Sequence, residues 1–149
     1  MKKFLILLLL FVSNCGYQPL YVDASNEELI FQEMNLQGDK KINRKIISAL
    51  NISENSDNAN FNELLLDSKK SKQITSKNSK GEVISYKMSI ETNLIIKDKD
   101  GKIRNKTFIV DFSYNTKDNK FDLAEYEAQI HNNLIKEIIE DMIIYVNLK

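Results

Sequence analysis

Between residues 29 and 149 the apolar positions change period several times, and each change marks an element. From Leu29 to Leu36 they alternate, with Ile30, Met34 and Leu36 on one face and Gln32 as the exception on that face, so a first strand is expected. Gly38-Asp39 breaks it, and Asp39 is a suitable N-cap for a helix over about 40–51. There Ile42, Ile46, Ala49 and Leu50 form one stripe, opposite Arg44, Lys45 and Ser48. Residues 52–60 are polar and read as a loop. Alternation resumes at Phe61 in a strand that runs on with polar residues to Ser76. Its half from Ser68 to Ile74 carries Lys69, Lys70 and Lys72, the pattern of an edge strand defended against further pairing.

The clearest alternation spans Val83–Lys97, with Ile84, Tyr86, Met88, Ile90, Leu94 and Ile96 on one face and Ser85, Lys87, Ser89, Glu91 and Asn93 on the other. An Asp100-Gly101 turn follows, and Phe108, Val110, Phe112 and Tyr114 are expected inward on the return strand 103–114. The last helix should open at Asp122 as N-cap, with Glu125 completing a capping box and Phe121 and Tyr126 forming a hydrophobic staple. Its stripe is Leu123, Tyr126, Ile130, Leu134, Ile138, Met142 and Tyr145, widened by Ile135, Ile139 and Ile143. The order β-α-β-β-β-α predicts an α+β two-layer sandwich: a four-stranded, mostly antiparallel sheet with both helices on one face and a wet face left open.

Ahead of this domain the pattern is of another kind. Lys2 and Lys3 precede an unbroken apolar run, Phe4–Val12, which is too short to cross a bilayer; that takes about 20 apolar residues. A charged start, a short apolar core and a small-residue junction are the parts of a secretory signal. Val12-Ser13-Asn14-Cys15 resembles a lipobox, although Asn14 stands where Gly, Ala or Ser is usual. In that pattern Cys15 takes a diacylglycerol, the chain is cut before it and the new amine is acylated. A lone cysteine in an exported chain has no disulfide partner, and lipidation gives it a role. Two or three acyl chains, at roughly 0.8 kcal/mol per buried CH₂, anchor durably. Gly16, in place of the Asp that retains lipoproteins in the inner membrane, points to the outer membrane. The expected organisation is a signal peptide over 1–14, a lipidated tether over 15–28 stiffened by Pro19, and a single domain over 29–149.

Composition narrows the chemistry. The whole chain has 21 basic and 21 acidic residues, and losing Lys2 and Lys3 leaves a charge of about −2, no basis for nucleic-acid binding. One Cys and one His make a dedicated soft-metal site improbable, and no cofactor is expected. His131 lies one helical turn after Glu127, which reads as a surface pair, and no catalytic motif is present, so an enzyme is not expected. The turn lysines are more informative: Lys77 and Lys80 on one turn, Lys97, Lys99 and Lys102 with Arg104 on the next, Lys117 and Lys120 on the third. Polar turns in a lysine-rich chain account for them, and so does contact with the phosphates of an anionic glycolipid. A free-standing envelope lipoprotein that binds a small molecule or peptidoglycan is the alternative, and it predicts a concave pocket lined with aromatics.

Cys15-Gly16-Tyr17-Gln18-Pro19-Leu20-Tyr21 resembles the mature start of alphaproteobacterial LptE, the LPS-assembly lipoproteins. The element order, the long strand bearing Ser85-Tyr86-Lys87-Met88 and the long final helix match as well. The resemblance implies an outer-membrane lipoprotein that plugs a partner β-barrel, helps it assemble and helps insert lipopolysaccharide into the outer leaflet. It also implies lipopolysaccharide contacts at the tip of the hairpin between the second and third expected strands and near the last helix. Here these fall on Lys77 and Lys80, beside Ser79, and on Lys120.

Overall fold

The structure, a computed structural model, describes residues 28–147. The expected signal peptide, Cys15 and the tether up to residue 27 lie outside the described residues. Seven elements follow: β1 (Leu29–Gly38), α1 (Lys40–Ala49), β2 (Ile52–Glu54), β3 (Phe61–Lys77), β4 (Val83–Asp98), β5 (Ile103–Asn115) and α2 (Lys120–Asn147). They form one sheet in the order β2-β1-β3-β4-β5. Both β2 and β3 pair with β1 in parallel, and β3–β4 and β4–β5 are antiparallel.

The class and the long hairpin are as expected, and two expectations are corrected. The sheet has five strands, because Ile52–Glu54 within the expected loop pairs with Leu29–Phe31. A three-residue strand is too short to show a period in sequence. The sheet is mixed, since the crossover through α1 lays β3 parallel to β1. The edge expected in the lysine-bearing half of β3 holds, while Phe61–Ser68 is flanked by β1 and β4. Only from Lys69 onward, where β1 has ended at Gly38↔Ser68, does its flank lie open. The polar half is thus an edge and the apolar half is not.

One face of the sheet meets both helices. Ile42 and Ile46 of α1 join Ile130, Leu134, Ile138 and Met142 of α2 in one core with Leu64, Leu66, Ile90, Leu94, Ile96, Phe108 and Val110. The wide stripe of α2 is buried at Ile135 and Ile143, half-buried at Ile139. Asp39 caps α1 as expected, accepting from the backbone N of Lys41 (2.9 Å) and Ile42 (3.2 Å). The start of α2 differs. Asn119 caps it, accepting from Phe121 N at 2.9 Å, which leaves Asp122 inside the first turn. Phe121 is exposed, so no staple forms with Tyr126.

Alternation also slips once at the start of the sheet. The β3–β4 register shifts between Phe61 and Glu63, and Gln32, Glu33, Asn62 and Glu63 line one shallow groove together. Phe31 thereby takes the inward place, fully buried and stacked on Phe61 at 5.0 Å. That is why Gln32 looked like an exception on an apolar face. On the opposite, uncovered face lie Gln37, Asp67, Asn93 and Thr107 in one row, with Ser71, Ser89 and Asp111 in another.

Candidate functional site

The β3–β4 hairpin closes over residues 78–82. Asn78 organises it: its Oδ1 accepts from Lys80 N (2.9 Å) and Glu82 N (3.0 Å), and its Nδ2 donates to Glu82 Oε2 at 2.6 Å. This ordered turn presents Lys77 and Lys80 to solvent. Thr116 N donates to Ile84 O at 3.0 Å, which ties the β5–α2 connection to the same end of the sheet. Lys120 therefore belongs to the same end as Lys77 and Lys80. The three candidates, separated in sequence by a whole hairpin, are brought to one end by the topology.

That end is also apolar. Ile74 (53% exposed), Ile84 (42%), Phe112 (46%) and Phe121 (85%) all face solvent there. Ile84 and Phe112 were expected inward and do point to the helix side, but there they lie past or beside the cover of α2. Behind them Tyr114 packs tilted against Tyr86 at 5.8 Å and edge-on against Tyr126 at 6.0 Å. Lys72 Nζ sits 3.9 Å from the centre of the Tyr86 ring, and Lys117 Nζ lies 4.5 Å from that of Tyr126. Glu127 Oε1 accepts from Lys72 at 2.5 Å and from the Tyr114 hydroxyl at 2.8 Å. Burial, with the Glu127 carboxylate beside it, holds the Tyr114 phenol well above its ordinary range.

Lys117, already among the turn lysines, joins this end, and Lys72, read from the sequence only as an edge defence, is the member that sequence reasoning missed. Parity would have found Lys72: residues 64, 66, 68, 70 and 72 share one face of β3, so lysines at 70 and 72 interrupt an inward-facing row. The turn with Lys97, Lys99 and Lys102 lies at the other end of the sheet. There Arg104 pairs with Asp98 (3.5 Å) over the Phe61 ring, and residue 28 also stands at that end, where Ser53 Oγ donates to Glu28 Oε1 at 2.7 Å.

His131 does not pair with Glu127, which is occupied by Lys72 and Tyr114. Instead it lines a groove of about 660 Å³ between α1 and α2, with Asp39, Lys41, Lys70 and Asn132. Burial, then the charges of Lys70 and Lys45, hold its imidazole below the ordinary value of 6.5. No Phe, Tyr or Trp lines this groove. Among the described residues no group of three or more His, Cys, Asp or Glu could hold a metal ion, and no helix is long and apolar enough to cross a membrane.

No curated protein matches the sequence. Solved structures share the fold, two of them as follows. The crystal structure of rare lipoprotein B from Shewanella oneidensis matches with a TM-score of 0.58 at 13% identity, covering 76% of this chain and 91% of the other. The solution structure of lipoprotein B from Nitrosomonas europaea matches with a TM-score of 0.55 at 12% identity, covering 80% and 82%. The family described as LptE, Lipopolysaccharide-assembly, matches residues 17–146, nearly the whole length that follows the apolar leader. The long hairpin, the two helices on one face and the residues from Tyr17 onward thus converge, and this chain belongs to the LptE family of lipopolysaccharide assembly.

Proposed function

We propose that the protein is a non-enzymatic plug of a partner outer-membrane β-barrel, anchored through lipidated Cys15, that helps the barrel assemble and meets lipopolysaccharide at its Lys77–Lys80–Lys120 end. Lipopolysaccharide assembly is the work of the family to which the chain belongs. One observation carries the finer reading: the basic and apolar end stands opposite the end at which the chain enters the domain. Strand β3 has 17 residues, and at about 3.3 Å each it spans roughly 55 Å. A tether fixed at one end of such a sheet lets the other reach far from the anchored leaflet.

The chemistry of each surface suits this task. Lysines beside exposed Ile74, Ile84 and Phe121 offer ammonium groups to phosphates and apolar contact to acyl chains. The uncovered sheet face, rich in Ser, Thr and Asn, matches the polar interior of a wide membrane barrel. Copurification tests the reading. The tagged full-length chain, expressed with its signal in a Gram-negative host, is expected to bring down a large β-barrel protein. A chain recovered alone, as a stable monomer that binds a muropeptide or small molecule, overturns the plug. The mass of the mature N-terminus tests Cys15: cleavage before it with added acyl chains is expected.

A further inference from the structure

We propose that the groove between the start of α1 and the first turns of α2 binds a sugar phosphomonoester, at a site separate from the Lys77–Lys80–Lys120 end. Its floor is Lys70 on β3 and Met88 on β4; Asp39, Lys40, Lys41 and Lys45 form one wall, and Glu127, His131 and Asn132 the other. It exists because β1 stops pairing at Gly38↔Ser68, so from Lys69 onward no neighbouring strand fills the space beside β3.

The charge balance of the groove is positive. Four lysines face two carboxylates, and both carboxylates are engaged. Asp39 is committed to the backbone of α1, and Glu127 to Lys72 and Tyr114. Lys45 Nζ is steered by Asn132 Oδ1 at 2.7 Å. Among the described residues no carboxylate lies within ion-pair distance of Lys40, Lys41 or Lys70. Their field reaches His131, whose neutral form is favoured by burial first and then by Lys70, Lys45 and Lys41, against Asp39. Its Nε2 is buried without a hydrogen-bond partner.

Several independent ammonium groups around one concavity suit a compact dianion with three acceptor oxygens, and lysine binds phosphate as a point charge. About 660 Å³ holds a phosphate together with the sugar that bears it. The proposal rests on the lipopolysaccharide reading only for the source of the phosphate, a lipid headgroup; a soluble sugar phosphate has the same chemistry.

His131 is the single histidine, so its ring proton is an unambiguous NMR reporter. The mature lipidated chain in maltoside micelles is titrated with pH in four conditions: glucosamine 1-phosphate, glucosamine, phosphorylated lipid A and dephosphorylated lipid A. A phosphate among the lysines cancels their repulsion, so the imidazole pKa is expected to rise with the phosphorylated probes alone. The K41Q/K70Q variant, in which both lysines are exposed and neither holds the core, is expected to bind about tenfold more weakly or worse, whereas K77Q/K80Q/K120Q retains the response to glucosamine 1-phosphate. A response to phosphorylated lipid A alone assigns the headgroup as source, and one to the soluble phosphate as well assigns any sugar phosphate. No phosphate-dependent rise, an equal rise with sodium chloride at matched ionic strength, or an unaltered K41Q/K70Q variant overturns the site. Barrel copurification on the same variant separates the two readings. A retained barrel with no phosphate response removes the groove alone, and a barrel absent from the wild type removes the plug alone.

Discussion

Gly38 turns the chain out of β1 at φ +75°, and a Cβ there would stand 2.1 Å from the Ser68 carbonyl oxygen. The same oxygen accepts from Asp39 N at 2.7 Å, so the neighbour cannot retreat without losing the junction. Gly38→Ala is expected to cost at least about 2 kcal/mol in urea unfolding, from the left-handed backbone and the collision together. One partner of that junction is itself buried: Ser68 Oγ and Thr92 Oγ1 lie 3.0 Å apart with neither side chain exposed. Thr92→Val strands the Ser68 hydroxyl and should cost about 1–3 kcal/mol, whereas the S68A/T92V pair should cost clearly less. A double-mutant cycle by urea unfolding measures the difference. His131 and Tyr114 set the pH limits of this region. The folded state lowers the pKa of His131, so its contribution is complete above 6.5 and is lost as pH falls below that value. Tyr114 is raised, so its contribution is complete below its ordinary 10.0 and is lost above it. Stability against pH should therefore slope at both sides; His131→Gln should flatten the acid slope and Tyr114→Phe the alkaline one.

At the scale of elements, β3 decides the function because it changes character along its length. Its first half is a core strand between two neighbours, with Leu64 and Leu66 fully buried. Its second half carries lysines on both faces beside an open flank, where two sites arise: the groove at Lys70 and the tyrosine cluster at Lys72. The Glu127 carboxylate joins β3, β5 and α2 there. Glu127→Ala removes the acceptor of both Lys72 and Tyr114 and is expected to lower stability by about 1–3 kcal/mol, read as a lower urea midpoint. Hydrogen exchange at the amides of residues 72–77 should quicken with it, since Lys72–Glu127 ties that half of β3 to the helix.

For the whole molecule, the arrangement is a long plate with helices on one side, a polar face on the other and a distinct chemistry at each end. Reversing Lys77, Lys80 and Lys120 to glutamate should weaken lipopolysaccharide capture at least about tenfold in a pull-down at low salt. The folded core is not touched, because all three side chains are exposed. Unchanged capture would retire these three residues as contacts. On the open face, Asn93→Arg places a charge at the centre of the proposed barrel contact and is expected to reduce barrel copurification while leaving the unfolding free energy of the free chain, from urea unfolding, within about 0.5 kcal/mol.

Local signals were legible wherever one residue's neighbours along the chain set its role. Strict alternation over Val83–Lys97 and its return strand marked the hairpin, and the stripe of α2 and the Asp39 cap marked the helices; a period or a cap is a property of consecutive residues. The heptapeptide at Cys15 carried the family before any fold was known. What the residues could not announce depends on partners far along the chain. Strand β2 is three residues long and exists only because β1 lies beside it. The central place of β3 follows from the crossover through α1, and the inward place of Phe31 from a slip shared with β3. The convergence of Lys77, Lys80 and Lys120 at one end, and of Lys41, Lys70 and His131 in one groove, needed the sheet order itself. Charges spaced tens of residues apart acquire a common chemistry only when strand pairing sets the distance between them.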